Sequence, residues 1–274
     1  MAGVVNCPDV EALNPIQIIE AGAARNLLDY VQAFQLWTPK PAASAMPCAG
    51  GLAAYTGPDS PLTTVKGAGP EIQESEIDAA ELFFRRNHAR QVIFECAPWL
   101  TEATVERLTR RGYTVAGTEV VVAAALPCAV EATVHSPVEL TQDDWARVFT
   151  AAFALPAEGI WPLLARMAWR LPGAVNLGVV DADGQVMGCA QLAPAGEIAV
   201  LGNDGTLPAA RGQGVQTALI RERLRRAMAS EMQWAVAEVA GGSSSEKNYL
   251  RCGFERVYVR TSWKKEVDSA QRTK

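Results

Sequence analysis

The chain of 274 residues has only two histidines, His88 and His135, and its six cysteines include no Cys-x-x-Cys pair. A tetrahedral metal site needs clustered Cys and His ligands, so none is expected. The same scarcity leaves no Ser/His or Cys/His hydrolase motif. Basic residues are outnumbered: 25 Lys and Arg against 30 Asp and Glu give a net charge of −5. A broad basic face for nucleic acid is therefore not expected. Long apolar runs are also missing. The longest, Val120 to Val130, is interrupted by Pro127 and is too short to span a bilayer. Met1 to Asp9 shows no charged stretch followed by an apolar one, so no secretion signal is expected. With thiols scattered at 7, 48, 96, 128, 189 and 252, the expected compartment is a reducing cytoplasm.

What the chain has is 49% hydrophobic residues, enough for two cored domains or one large one. Its most informative stretch is Thr206-Leu207-Pro208-Ala209-Ala210-Arg211-Gly212-Gln213-Gly214-Val215-Gln216-Thr217. A strand end runs into a proline turn, a glycine loop and an amphipathic helix. The first turn of a helix leaves N–H groups without carbonyl partners and carries the positive dipole end, a combination that suits a pyrophosphate. No Gly-Lys-Ser/Thr follows, which excludes a P-loop, and the spacing is not Gly-x-Gly-x-x-Gly. Arg211, Gly214 and Gln216 leave the pattern Arg-x-x-Gly-x-Gln.

A second motif lies downstream. Gln233 to Ala240 reads as a buried strand broken by Gly241 and Gly242. Ser243, Ser244 or Ser245 can cap a short helix that ends at Gly253, and Glu255 to Trp263 reads as a last strand. The text between them is Tyr249-Leu250-Arg251-Cys252-Gly253-Phe254. Together the two motifs resemble the Gln/Arg-x-x-Gly-x-Gly/Ala loop and the Tyr-x-x-x-Gly-Phe segment of the GCN5-related N-acetyltransferases (GNAT). The resemblance covers roughly residues 131 to 264, and Gln216 departs from the family's Gly or Ala.

An internal echo extends the reading to the first half. Leu108-Thr109-Arg110-Arg111-Gly112-Tyr113, followed by a strand, mirrors the Tyr249 segment with glycines 141 residues apart. Coincidence between two helix–Gly–strand units is the plain alternative. No glycine motif precedes the first half's long helix at Glu71 to Asn87. Lys66-Gly67-Ala68-Gly69-Pro70 stands there, and Pro70 has no N–H. The expected fold is α/β (α+β): two GNAT-like domains, each a mixed, mostly antiparallel sheet flanked by helices, with a splayed parallel strand pair in the second. The expected division is a degenerate domain at 1–130, a catalytic domain at 131–266 and a frayed tail at 267–274.

The resemblance implies acetyl-CoA as acyl donor, an unidentified amine as acceptor, and no metal. It implies cofactor contacts from the opened strand end (Gly205, Thr206, Leu207), from the loop and helix start (Arg211, Gly212, Gln213, Gly214, Val215, Gln216, Thr217), and from Ser243 and Asn248. For Ser243 a plain helix cap is the favoured reading over a cofactor contact, and Asn248 reads also as a turn residue. Tyr249 matches the family's acid, since a phenol keeps its proton at neutral pH and can give it to a thiolate. For the base, Glu238 is a lone carboxylate in an apolar strand, where burial is expected to raise its pKa. Asp204 and a water are its rivals. Arg221, Arg223, Arg225 and Arg226 read as a solvated helix face or a local phosphate patch. A non-catalytic CoA-binding or scaffold protein, and a transferase using a longer acyl-CoA or an oxygen acceptor, remain alternatives. Nothing in the sequence sets the acceptor or the oligomeric state.

Overall fold

The computed structural model describes residues 14–37, 43–156, 158–230 and 232–267. Met1 to Asp9, where no secretion signal is expected, with Cys7 and all but the first residue of the expected tail, lie outside them. The first half runs α1 (Pro15–Trp37), β1 (Ser44–Cys48), β2 (Gly51–Tyr55), β3 (Thr64–Lys66), α2 (Glu74–Arg86), β4 (Gln91–Cys96), α3 (Glu102–Arg110) and β5 (Thr114–Ala125). The second runs β6 (Val138–Glu139), α4 (Gln142–Ala152), α5 (Ile160–Trp169), β7 (Val175–Val180), β8 (Val186–Ala195), β9 (Ile198–Thr206), α6 (Val215–Ala229), β10 (Trp234–Val239), α7 (Ser244–Arg251) and β11 (Glu255–Glu266).

Local chemistry explains the boundaries. Ile19, Ala23, Leu27, Tyr30 and Phe34 recur every three or four residues and bury one face of α1. Thr101, Thr141 and Ser243 each accept a hydrogen bond from the backbone N–H three residues on, capping α3, α4 and α7. Gly112 and Gly253 take positive φ just past α3 and α7, the conformation that ends a helix at least cost for glycine.

The strands form a single sheet of eleven in the order β1-β2-β3-β4-β11-β5-β10-β9-β8-β7-β6. The two expected sheets thus merge, because each half gives its last strand to the other. β11 lies between β4 and β5, and β5 lies between β11 and β10. The echo seen in sequence is a symmetric exchange: β5 and β11 pair antiparallel at the centre, with Val121 opposite Tyr258. Each half also holds one parallel pair, β3 with β4 and β9 with β10.

In the first half the segment standing in the place of the second half's glycine loop is packed in. Gly69 donates its N–H to Ala49, and a Cβ at Gly67 would strike Ala24 and the Glu20 carbonyl of α1. Helix α1 crosses the joint between the halves, packing on β2 and β3 and also on β8 and β9. With α4 and α5 it shares a core around Leu27, Phe34, Trp145 and Met167, while α6 and α7 cover β9 and β10 through Ile220, Leu224, Tyr249 and Phe254. Among the described residues no helix is long and apolar enough to cross a membrane.

Candidate active site

The sheet opens between β9 and β10. They pair in parallel only through Ile198–Val200 and Trp234–Val236, after which the strands part. The cause lies in β9. Cys189 faces Gly205 but Gln191 faces Gly202, so β9 carries one extra residue there. Asn203 sits within the bulge at φ +57, a left-handed conformation that asparagine tolerates better than most residues. A bulge bends its strand and sharpens its twist, which turns β9 away from β10. The Gly202-Asn203-Asp204-Gly205 stretch is therefore a strand bulge rather than a free turn. Gly205 is required by close approach, since a Cβ there would lie 2.8 Å from that of Ala152 in α4.

The gap is a cleft of about 860 Å³. At one end stands the glycine loop. Pro208–Ala210 form a 3-10 turn, and Gly212 and Gly214 take φ of +78 and +80 before α6 begins. No atom lies within 4 Å of a Cβ built on either glycine. Their requirement is the left-handed backbone, not crowding. Helix geometry leaves the N–H groups of Val215, Gln216 and Thr217 without carbonyls from their own helix. Arg211 folds over the loop, its guanidinium 3.3 Å from the carbonyl of Ala152.

The cleft wall carries a buried polar cluster. Arg223, with no exposed side-chain area, holds both Asp204 oxygens, at 2.5 and 2.7 Å. The Tyr249 hydroxyl donates to Asp204 Oδ2 at 2.7 Å. Burial drives the phenol pKa well above its usual value, and the Asp204 charge adds to the rise while Arg223 opposes it. The phenol therefore stays protonated across the working pH range. The Arg221–Arg226 face is not a phosphate patch. Arg223 points inward, Arg221 and Arg225 bind Glu131, and Arg226 binds Glu139 and Glu222.

On the other side of the gap lies a second cavity, of about 260 Å³. It meets the cleft at Leu201, Gly202, Asn203 and Glu238, which line both. Its walls come from both halves: Ile19, Asn26 and Tyr30 of α1, Lys66 of β3 and Glu119 of β5 face Gln191, Val200 and Glu238. Asn203 donates to the Tyr30 hydroxyl at 3.2 Å and to Gln191 at 3.0 Å, tying α1 to β9 and β8.

The expectation of a raised Glu238 pKa is overturned. Burial does push this carboxyl up, but the charges of Arg260 and Lys66, with their hydrogen bonds, outweigh it and hold the group far below the usual carboxylate range. Lys66 Nζ lies 2.8 Å from Glu238 and 3.1 Å from Glu95, and Arg260 contacts Glu238 and Glu20. Carboxylate oxygens of Glu95, Glu119 and Glu238 come within 4.8 Å of one another, with the Lys66 ammonium as the cation beside two of them.

Of the residues singled out in the sequence, Gly205, Thr206, Arg211, Gly212, Gly214, Val215, Gln216, Thr217, Ser243 and Asn248 line the cleft, with Tyr249 and Glu238. Leu207 and Gln213 do not. Leu207 donates its N–H to Met187 of β8, so strand alternation turns the N–H of Thr206 toward the opening instead. Gln213 Nε2 reaches back to the Ala209 carbonyl. Ser243 Oγ is occupied by the Glu246 N–H. The Gln216 side chain spans α6 and α7, donating to Ser245 and accepting from Asn248. Sequence reasoning missed Lys66, Glu119 and the burial of Arg223. Only the last left a signal: Val215, Leu219, Arg223 and Ala227 recur at helical spacing on an otherwise apolar stripe.

No protein-family model matches the chain. Over 87 residues it is 36% identical to a mycothiol acetyltransferase from Nocardia farcinica, covering 31% of this chain and 29% of that protein. The match thus spans less than a third of the curated relative. Among solved structures, a GCN5-related N-acetyltransferase from Kribbella flavida superposes with a TM-score of 0.66 at 12% identity, over 92% of this chain and 97% of its own. A tandem GNAT protein from the clavulanic acid biosynthesis pathway gives 0.58 at 15% identity, over 93% and 96%. The bulged, splayed β9–β10 pair, the glycine loop at α6 and these near-complete superpositions establish that the chain has the tandem fold of the GCN5-related N-acetyltransferases.

Proposed function

We propose that the chain is an acyltransferase that moves the acetyl group of acetyl-CoA to the amine of a small acceptor by direct attack. One observation carries the reading. The parting of β9 and β10 joins a long cleft, headed by unpaired helix-start amides, to a smaller cavity on the opposite side. A donor entering by the cleft and an acceptor entering by the cavity would meet at Leu201–Asn203. The similarity to a mycothiol acetyltransferase, itself partial, supports an acetyl donor.

Each part of the chemistry has a candidate group. The pyrophosphate would lie against the amides of Gly212 to Thr217 with Arg211 beside it. The pantetheine arm would add to the free edge of β9 as an extra strand, using Thr206 rather than Leu207. Backbone N–H groups on that edge would stabilise the tetrahedral oxyanion. Tyr249, whose proton rests on Asp204, would turn to protonate the departing thiolate. The acceptor amine, with a free pKa of about 10.4, must first lose a proton. We further propose that the halves divide at 1–130 and 131–266, the first walling the acceptor side, and that the protein works in the cytoplasm.

Calorimetry with CoA and acetyl-CoA, paired with thiol release on a panel of primary amines, tests the reading. Micromolar binding together with amine-dependent release supports it. An empty cleft at saturating CoA removes it, and tight binding without turnover on any amine favours a non-catalytic CoA-binding protein.

A further inference from the structure

We propose that Glu119, on the last strand of the first half, is the group that takes the proton from the acceptor amine. The inference rests on the acetyl-transfer reading above. Both carboxylates of the acceptor cavity are candidates by position, since Glu119 and Glu238 line it and their oxygens lie within 4.8 Å. They differ in their partners. Glu238 is bound by the Lys66 ammonium at 2.8 Å and by the Arg260 guanidinium, so its lone pairs are engaged by two cations. Glu119 has neither contact, is exposed, and sits opposite Arg260 in the β5–β11 register. Among the described residues lining this cavity, Glu119 carries the carboxylate that no cation binds, so an entering ammonium meets it free.

The surroundings tune that carboxylate in the useful direction. Partial burial raises its pKa, the charges of Glu238 on β10 and Glu95 on β4 raise it further, and Lys66 on β3 and Arg260 on β11 pull it back. Glu20 of α1 holds Arg260 and Tyr258 through Oε1; its Oε2 is buried without a partner, and the residue does not line the cavity. The balance leaves Glu119 a stronger base than an ordinary glutamate and Glu238 a much weaker one. In the reaction Glu119 accepts one proton from the ammonium and later releases it to solvent. The neutral amine forms a C–N bond to the thioester carbon as the carbonyl electrons move to oxygen. Collapse restores the carbonyl, breaks the C–S bond, and delivers the second nitrogen proton to the thiolate through the acid. The exchange of strands is what brings this residue to the site, because β5 pairs directly with β10.

The test uses the full-length protein with acetyl-CoA and small primary amines (ethanolamine and 2-phenylethylamine), following thiol release from pH 5.5 to 9.5. Glu119→Gln is expected to lower kcat/KM about 100-fold near neutral pH and to replace the wild-type acid limb with a continuous rise toward the amine's own pKa of about 10.4, with CoA affinity unchanged. Glu238→Gln removes a neighbouring negative charge, so its acid limb is expected to survive and move to lower pH. Retention of wild-type rate and acid limb in Glu119→Gln, or loss of the limb in Glu238→Gln, overturns the assignment. A carboxyl 13C titration of the protein with and without acetyl-CoA, with the Glu119 signal identified by its loss in Glu119→Gln, decides the matter if neither amine reacts. A Glu119 pKa above the ordinary glutamate value supports the proposal, and one at or below it overturns it. Failure to bind acetyl-CoA in calorimetry instead sinks the donor reading, while the titration still reports on Glu119.

Discussion

The Lys66 ammonium, on β3 of the first half, lies 2.8 Å from the Glu238 carboxylate on β10, joining residues 172 positions apart in the chain. This pair sets the charge at the junction of the two cavities and locks the halves together.

Lys66→Met is expected to destabilise the protein by about 1–2 kcal/mol, less than removal of one partner from a fully buried pair, because Glu238 keeps contact with solvent and Arg260 still faces it. Urea unfolding at pH 7 measures it. The pH dependence follows from Glu238, whose folded pKa is depressed. Its stabilising contribution is complete above the unfolded value of about 4.3 and fades as pH falls from there toward the folded pKa. The variant should therefore lose less stability than the wild type between pH 7 and pH 3. Parallel losses in the two proteins would show that the pair does not set this dependence.

Tyr249→Phe is expected to lower kcat by at least about 10-fold while leaving the CoA dissociation constant near its wild-type value. The phenol holds its proton far above neutrality, so Tyr249 itself should put no basic limb on the wild-type profile below about pH 10. Steady-state rates with parallel calorimetry check both points, and unchanged turnover removes the proposed acid.

Gly214→Val forces a β-branched residue to φ +80, a strain of about 1–2 kcal/mol, and should weaken CoA binding about 10-fold or more. Gly214→Asn should be milder, since asparagine tolerates this conformation and open space surrounds the added side chain. Equal affinities for wild type and both variants would count against the loop as a phosphate cradle.

Arg223→Met leaves Asp204 buried without its cation and is expected to cost about 3–5 kcal/mol. Arg223→Lys should recover little, because an ammonium cannot reproduce the two-pronged contact. The double change Arg223→Met with Asp204→Asn should recover more than half of the loss. Chemical denaturation of the three variants tests the order.

Local patterns were legible. Strand β4 shows alternating burial, Thr101 and Thr141 sit where their helices start, and the glycines after α3 and α7 mark where those helices stop. The loop at Gly212–Gly214 and the Tyr249 segment carried the resemblance from which the fold was expected. The short strand β1 was missed: Ser44–Cys48 contains a proline and offers too little periodicity. The direction of the Glu238 shift was misread. A carboxylate in an apolar strand looks isolated until distant cations are placed beside it.

The amino-acid sequence by itself determined most of the helices and strands, where the glycine loop lies, and that the second half carries a phenol downstream of it. These follow from propensity, capping and periodicity, which act over a few residues. Only the tertiary structure decided that β5 and β11 exchange places, that Lys66 and Arg260 neutralise Glu238, and that Glu119 reaches the smaller cavity. Charge–charge energies fall with distance through space rather than along the chain, so no local reading of residues 119, 238 or 260 could assign their partners.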